Sequence, residues 1–213
     1  MKRRVQFALG EIYHVCNKSI SSYNIFRKDE YSQRFMNIFA YYNSARSHSY
    51  SMYLRKNTLF TYGDLIRLAK PNFRALAYCI MPDHYHLLFS TQNSSEVSKF
   101  IGTLENSFTR FYNVRNCRKG PLWQSEFRCR RIANDEQLLH VTRYIHLNPV
   151  TAGLVSDPRY WSFSSYKFYL NQEVLDSLKQ ISIRSTNKYE SFVLDNKDYQ
   201  KKLKQIRNQL RDY

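Results

Sequence analysis

Two apolar runs only three residues apart constrain this chain more than any other feature. Phe73–Ile80 and His84–Ser90 are each of strand length, and Met81-Pro82-Asp83 between them is turn chemistry. So short a connection predicts two adjacent strands. Val5–Asn17 alternates roughly as a strand, with Val5, Phe7, Tyr13 and Val15 as its better β formers. Helical spacing takes over elsewhere. Residues 31–46 carry Phe35, Ile38, Phe39 and Tyr42 on one stripe, and Thr61–Ala69 reads as a short helix. Ser94 and Ser95 offer N-caps to a helix in which Val97, Phe100, Ile101, Leu104, Phe108 and Phe111 keep a 3.6 period. Asn134-Asp135-Glu136-Gln137 resembles a capping box and opens a helix through Leu138, Val141 and Ile145. Pro149 places the end or a bend of that helix at Asn148.

Charge narrows the partners. Lys plus Arg number 33 against 17 acids, a net of +16, with a pI near 9.7. That excess favours a polyanion, and nucleic acid is the usual one. A disordered basic tail is excluded, because 43% of the residues are hydrophobic and 16% aromatic. No window approaches a membrane span. Met1-Lys2-Arg3-Arg4 looks like the start of a signal peptide, but Val5–Leu9 is too short an apolar core and Glu11 ends it. Cys16, Cys79, Cys117 and Cys129 form no C-x-x-C pair and read as reduced thiols. The expectation is a soluble, cytoplasmic, nucleic-acid-facing protein. Residues 171–213 hold 9 basic and 6 acidic residues, so most of the charge belongs to residues 1–170. The division expected is a body over 1–170 and a basic, helical extension over 171–213.

Three constellations can carry chemistry. His84 and His86 are two apart in a strand and project from one face, where they can share a metal ion while Tyr85 packs on the other. The bland alternative is a satisfied pair on a sheet surface. His140, Tyr144 and Asn148 share one helix face, which sets a phenol beside an amide oxygen able to ligate a metal. Against that stands the abundance of tyrosine, 18 in all, most of which must be core or surface. Third, the basic loop from Arg115 to Arg131 holds Arg115, Arg118, Lys119, Arg128, Arg130 and Arg131 against one acid, Glu126. With Trp123, Phe127 and Phe111 nearby, it suits a single strand whose bases stack and whose phosphates pair.

Tyr13-His14-Val15, Met81 through Leu88, Leu122-Trp123-Gln124 and Tyr144 through Val155 fall in order along the chain. Together they resemble the one-tyrosine HUH transposases, in particular the REP-associated tyrosine transposases. Asp157-Pro158, Trp161-Ser162 and Ser164-Ser165-Tyr166 resemble the segment that closes that domain. The resemblance spans residues 5 to about 168. Asp83 stands where the family usually has Asn, and Thr151 where Arg is common. It implies an α+β fold, a ferredoxin-like antiparallel sheet with helices packed on it, to which the tail adds a largely helical appendage. It further implies His84 and His86 as metal ligands, Asn148 as a third, Tyr144 as the nucleophile, and Mg²⁺ or Mn²⁺ as the ion. The implied partner is single-stranded DNA with hairpins or short repeats, bound by a monomer or a homodimer. His14 flanks the site at most, and His140 and His146 are expected to pack or hydrogen-bond. Two alternatives remain: a domesticated hairpin-binding protein with little activity, and a metal-dependent hydrolase that uses water in place of Tyr144.

Overall fold

A computed structural model of the chain describes residues 6–43, 49–56, 71–92, 96–171 and 186–197. In chain order it has β1 (Ile12–Lys18), α1 (Asp29–Asn43), α2 (Tyr50–Lys56), β2 (Phe73–Ile80), β3 (His84–Thr91), α3 (Val97–Arg115), β4 (Arg128–Arg131), α4 (Asp135–Thr151), α5 (Tyr166–Tyr169) and α6 (Thr186–Leu194). The sheet runs β2-β3-β1-β4, and β1 pairs antiparallel with both of its neighbours. This is the ferredoxin-like strand order, with helices between β1 and β2 and between β3 and β4. The expected fold class holds. By internal contacts the chain divides into two units, Met1–Ala75 with Pro82–Arg131, and Leu76–Met81 with Ile132–Tyr213.

In the first unit, alternation along β1 sends Tyr13, Val15 and Asn17 into the interior and leaves Ile12, His14, Cys16 and Lys18 half-buried on the other face. α1 and α3 pack on each other. Phe35 of α1 stands 4.9 Å from the Tyr85 ring and 5.4 Å from Phe108, and Phe26 stands 5.0 Å from Phe108. Rings buried this fully contribute roughly 1.5–3 kcal/mol each. One acid joins the aromatic layer. Glu105 accepts from Tyr85 Oη–H at 2.6 Å and from Asn17 Nδ2–H at 2.9 Å. Its carboxyl is raised by burial, which outweighs the two hydrogen bonds. By fixing Tyr85 and Asn17 on the inner face, this knot sets the pleat that turns His84, His86 and Cys16 the opposite way.

In the second unit, the chain after α4 lines the edge of β2. Ser165 donates its N–H to Tyr78 O and accepts from Tyr78 N–H through Oγ, at 3.0 and 2.9 Å. Ile80 N–H donates to Phe163 O at 2.9 Å, Trp161 Nε1–H to Ile80 O at 2.9 Å, and Tyr169 Oη–H to Leu76 O at 2.6 Å. An edge strand covered in this way offers no free ladder to another chain. α6 packs on α4 through Tyr189, whose hydroxyl lies 2.5 Å from His146 Nδ1. Arg143 of α4 lies over the Phe192 ring, 4.1 Å from its centroid.

Several expectations shift. The Val5–Asn17 strand begins only at Ile12 and runs to Lys18; Val5 lies outside the described residues. The helix expected from residue 31 starts two residues earlier, at Asp29, with Asp29 and Glu30 in its first turn, where acids suit the dipole. Thr61–Ala69 and the proposed caps Ser94 and Ser95 lie outside the described residues; the residue at the cap of α3 is Glu96, which makes no side-chain cap bond. Half of the capping box forms as expected, with Asn134 Oδ1 accepting from Gln137 N–H at 2.8 Å, while Gln137 Oε1 accepts from the N–H of Ala133, one residue before the cap, at 2.7 Å.

Pro149 neither ends nor interrupts the run of α4, which continues to Thr151. The stop comes from Gly153, at φ +73°, whose N–H donates to Val150 O while Leu154 N–H donates to Pro149 O, both at 3.0 Å. That is a Schellman closure, and it satisfies the carbonyls that a helix end leaves over. The stretch read as a basic loop ends instead in the short strand β4.

Candidate functional site

The half-exposed face of the first unit gathers the residues with the most chemistry. Cys16 pairs with His86 and Lys18 with His84 across β1 and β3, and His14 pairs with Arg130 and Cys16 with Arg128 across β1 and β4. All lie at positions of one parity, so two histidines of β3, a histidine and a thiol of β1, and two guanidiniums of β4 share a face.

His84 and His86 do project together, as their spacing predicts; their ring centroids are 5.1 Å apart and nearly perpendicular. Each ring is held through Nδ1. His84 Nδ1–H donates to Asp83 Oδ1 at 2.5 Å, and Asp83 Oδ2 also meets Lys18 Nζ at 3.2 Å. Burial pushes the Asp83 carboxyl up, but the combined pull of His84 and Lys18 takes it down to about 2. His86 Nδ1 lies 3.0 Å from His14 Nε2, the two rings stacked at 19°. A histidine oriented through one nitrogen presents the other, and this is the usual support of a metal-ligating imidazole. Burial, reinforced by Arg130, lowers His14 to about 4, and burial, reinforced by His14 and His84, holds His86 well below its ordinary value. Both rings are therefore neutral at pH 7, the form that ligates. Burial pushes the Cys16 thiol up against the opposing pull of Arg128.

The sequence reading gave His14 only a flanking place and Cys16 none. Yet one ligand atom from each of His14, Cys16 and His86 lies within 4.8 Å of the others. The missing signal was register: it takes the β1–β3 pairing to set residues 14 and 16 against residue 86.

The basic residues divide by what already holds them. Arg128 and Arg130 are exposed on the imidazole face. Arg131 points to the other face and is tied to Glu11 by two bonds of 2.7 and 2.8 Å. Arg118 donates to Asn113 Oδ1 and to the carbonyls of Gly120 and Pro121, so it closes its own loop. Arg115 sits at the end of α3, 3.7 Å from Glu30, and Lys119 is exposed. Trp123 is half-buried in the aromatic layer, 5.5 Å from Tyr85, and its Nε1–H donates to Thr109 Oγ1 at 3.1 Å. Phe127 is half-buried.

In the second unit, Tyr144 and Asn148 lie one turn apart on α4. Tyr144 is 39% exposed, which is unusual in a helix whose next six residues are buried. Asn148 is buried and donates Nδ2–H to Tyr144 O at 3.3 Å, so Oδ1 is the atom it has for a ligand. His146 is fully buried between Tyr189 Oη and Ser165 Oγ, at 2.5 and 2.7 Å, and burial lowers it to about 3. It is a packing residue, as expected. His140 accepts from Arg143 at 2.8 Å.

Comparison with known proteins finds transposases similar to this chain. The family described as "Transposase IS200 like" matches residues 65–148, which include His84, His86, Tyr144 and Asn148. A putative REP-associated tyrosine transposase of Haemophilus influenzae is 31% identical over 112 residues, covering 48% of this chain and 64% of the relative's length. A REP-associated tyrosine transposase solved bound to a REP hairpin superposes with a TM-score of 0.61 at 17% identity, over 82% of this chain and 87% of that one. A putative transposase from Deinococcus radiodurans R1 aligns at a TM-score of 0.39 and 14% identity, over 68% and 95% of the two chains. The family match thus covers residues 65–148, and the chain spans less than two thirds of the Haemophilus influenzae relative's length.

Proposed function

We propose that this protein is a metal-dependent transposase or endonuclease of single-stranded DNA that cuts and rejoins strands through a 5′-phosphotyrosyl intermediate on Tyr144. The observation that carries the reading is the pair of β3 imidazoles, His84 and His86, each held through Nδ1, within the matched residues. Their donor set fits the ion. Imidazole nitrogen suits Mn²⁺, and Mg²⁺ would complete its shell with phosphate oxygens and water. His84 and His86 would hold it through Nε2, and Asn148 would add Oδ1. When bound, such an ion polarises a non-bridging phosphate oxygen as a Lewis acid.

The remaining chemistry belongs to the chain. A free phenol with a pKa near 10 is a weak nucleophile, so it must meet the phosphate in a prepared geometry. Tyr144 Oη bonds to phosphorus and loses its proton to solvent. The P–O3′ bond breaks, and the departing 3′ oxygen takes up a proton. The ester on Tyr144 conserves the energy of the cleaved bond, so a 3′-OH can attack it and restore a DNA strand without ATP. Arg128 and Arg130 face the imidazoles and would neutralise the flanking phosphates. The fold neighbour is bound to a REP hairpin, and we carry hairpin or repeat recognition over to this chain as part of the proposal.

The test is covalent trapping. Labelled single-stranded hairpin oligonucleotides are incubated with the protein and Mn²⁺ or Mg²⁺, then run on denaturing gels beside Tyr144→Phe. The expected result is a protein–DNA band that needs metal and is absent in the mutant. Cleavage without a band, unchanged in Tyr144→Phe, would establish the hydrolase. Retarded DNA with neither cleavage nor adduct would favour a hairpin-binding protein.

A further inference from the structure

We propose that His14, Cys16 and His86 form a second metal site, one that takes a soft divalent cation such as Zn²⁺ and excludes the ion held by His84 and His86. The last clause rests on the function proposed above; the site itself does not.

The placement follows from the pleat. His14 and Cys16 are two apart on β1 and project to one side, and the register sets Cys16 directly opposite His86. Their ligand atoms converge to within 4.8 Å. Tetrahedral zinc with Zn–N near 2.0 Å and Zn–S near 2.3 Å separates its ligand atoms by roughly 3.3–3.8 Å. The 3.0 Å between His14 Nε2 and His86 Nδ1 would need to open by only a few tenths of an ångström. The residue types match as well. Thiolate with imidazole selects Zn²⁺ or Co²⁺, whereas Mg²⁺ prefers oxygen. Three protein ligands leave a fourth position open, the pattern of sites that exchange a ligand. Arg128 and Arg130, the β4 partners of Cys16 and His14, favour an anion there, such as a phosphate oxygen.

Binding must release one proton, because Cys16–SH becomes a thiolate while both imidazoles ligate as neutral rings. The exclusion follows from the lone pairs of His86. A neutral imidazole has one in-plane lone pair and one N–H. If Nδ1 ligates zinc, Nε2 carries the hydrogen and cannot hold a second ion. Occupation of the thiolate site therefore withdraws His86 from the pair on β3.

The experiment is a Co²⁺ titration of the metal-free full chain, kept reduced with a non-thiol reductant, in wild type, Cys16→Ser, His14→Gln and His84→Ala. Circular dichroism checks the fold of each. The expected outcome is a near-ultraviolet sulfur-to-cobalt charge-transfer band in wild type, formed with release of one proton and then bleached by one equivalent of Zn²⁺. The band is lost in Cys16→Ser, weakened in His14→Gln and kept in His84→Ala. Zinc affinity, measured by chelator competition, falls about a hundredfold or more in Cys16→Ser, beyond the tenfold to hundredfold typical of outer partners. Absence of the band in wild type, its survival in Cys16→Ser, or its loss in His84→Ala would each overturn the proposal. None of these readings depends on whether Tyr144 forms an adduct, so the two proposals can fail separately.

Discussion

Asp83 shows what one atom can do at the residue scale. It stands where relatives by resemblance have Asn, and its Oδ1 holds the Nδ1–H of His84. If that hydrogen bond orients a ligand, Asp83→Ala lowers Mn²⁺ affinity tenfold to a hundredfold, followed by the electron paramagnetic resonance of free Mn²⁺. Asp83→Asn, whose amide oxygen accepts the same hydrogen, loses less. Equal affinities in all three proteins would remove Asp83 from the site. A second contrast tests the basic face. Arg130 opposes His14 on the imidazole face, while Arg131 is held by Glu11. Arg130→Gln should reduce the slope of log K against log salt for hairpin DNA by about 1, and Arg131→Gln by clearly less. Fluorescence anisotropy at several salt concentrations gives both slopes.

Elements with a strong period were legible from the sequence, and those without one were not. The stripe from Val97 to Phe111 gave α3, and the two apolar runs about Pro82 gave β2 and β3, because burial demands that spacing. β4 has no such imprint. Arg128-Cys129-Arg130-Arg131 is an exposed edge of four residues, stabilised by its ladder to β1 and by Glu11, and its charges resemble those of a loop. In the candidate site, His84 and His86 were legible from local alternation, whereas His14 and Cys16 needed a partner strand 70 residues away. α4 teaches the same lesson about its stop. Proline lacks a donor, yet it is tolerated in the last turn, and the φ of +73° at Gly153 sets the boundary. A Cβ at Gly153 would meet nothing within 4 Å, so Gly153→Ala isolates the cost of the left-handed backbone. The expected loss is about 1 kcal/mol by urea denaturation. A neutral result would mean that another residue ends the helix.

For the whole molecule, the buried His146 links stability to pH. Its folded value near 3 lies far below the unfolded value near 6.5, so below that point the unfolded chain binds a proton that the folded chain refuses. Stability is thus intact above about pH 6.5 and falls as pH drops toward 3. The loss from this residue alone is on the order of 2 kcal/mol between pH 7 and 5. Urea unfolding at those two values, followed by near-ultraviolet dichroism, should show at least that difference, and an equal midpoint at both would contradict the burial. The wiring of that same unit also orders events in time. Tyr78 exchanges hydrogen bonds with Ser165, 87 residues later, and His146 with Tyr189, 43 residues later. A ribosome therefore delivers β2 long before the chain that covers its edge, and α4 long before the phenol that caps its buried imidazole. During synthesis the strand edge at Tyr78–Ile80 stands uncovered, and a chaperone or a second nascent chain on the same messenger would find its opening there.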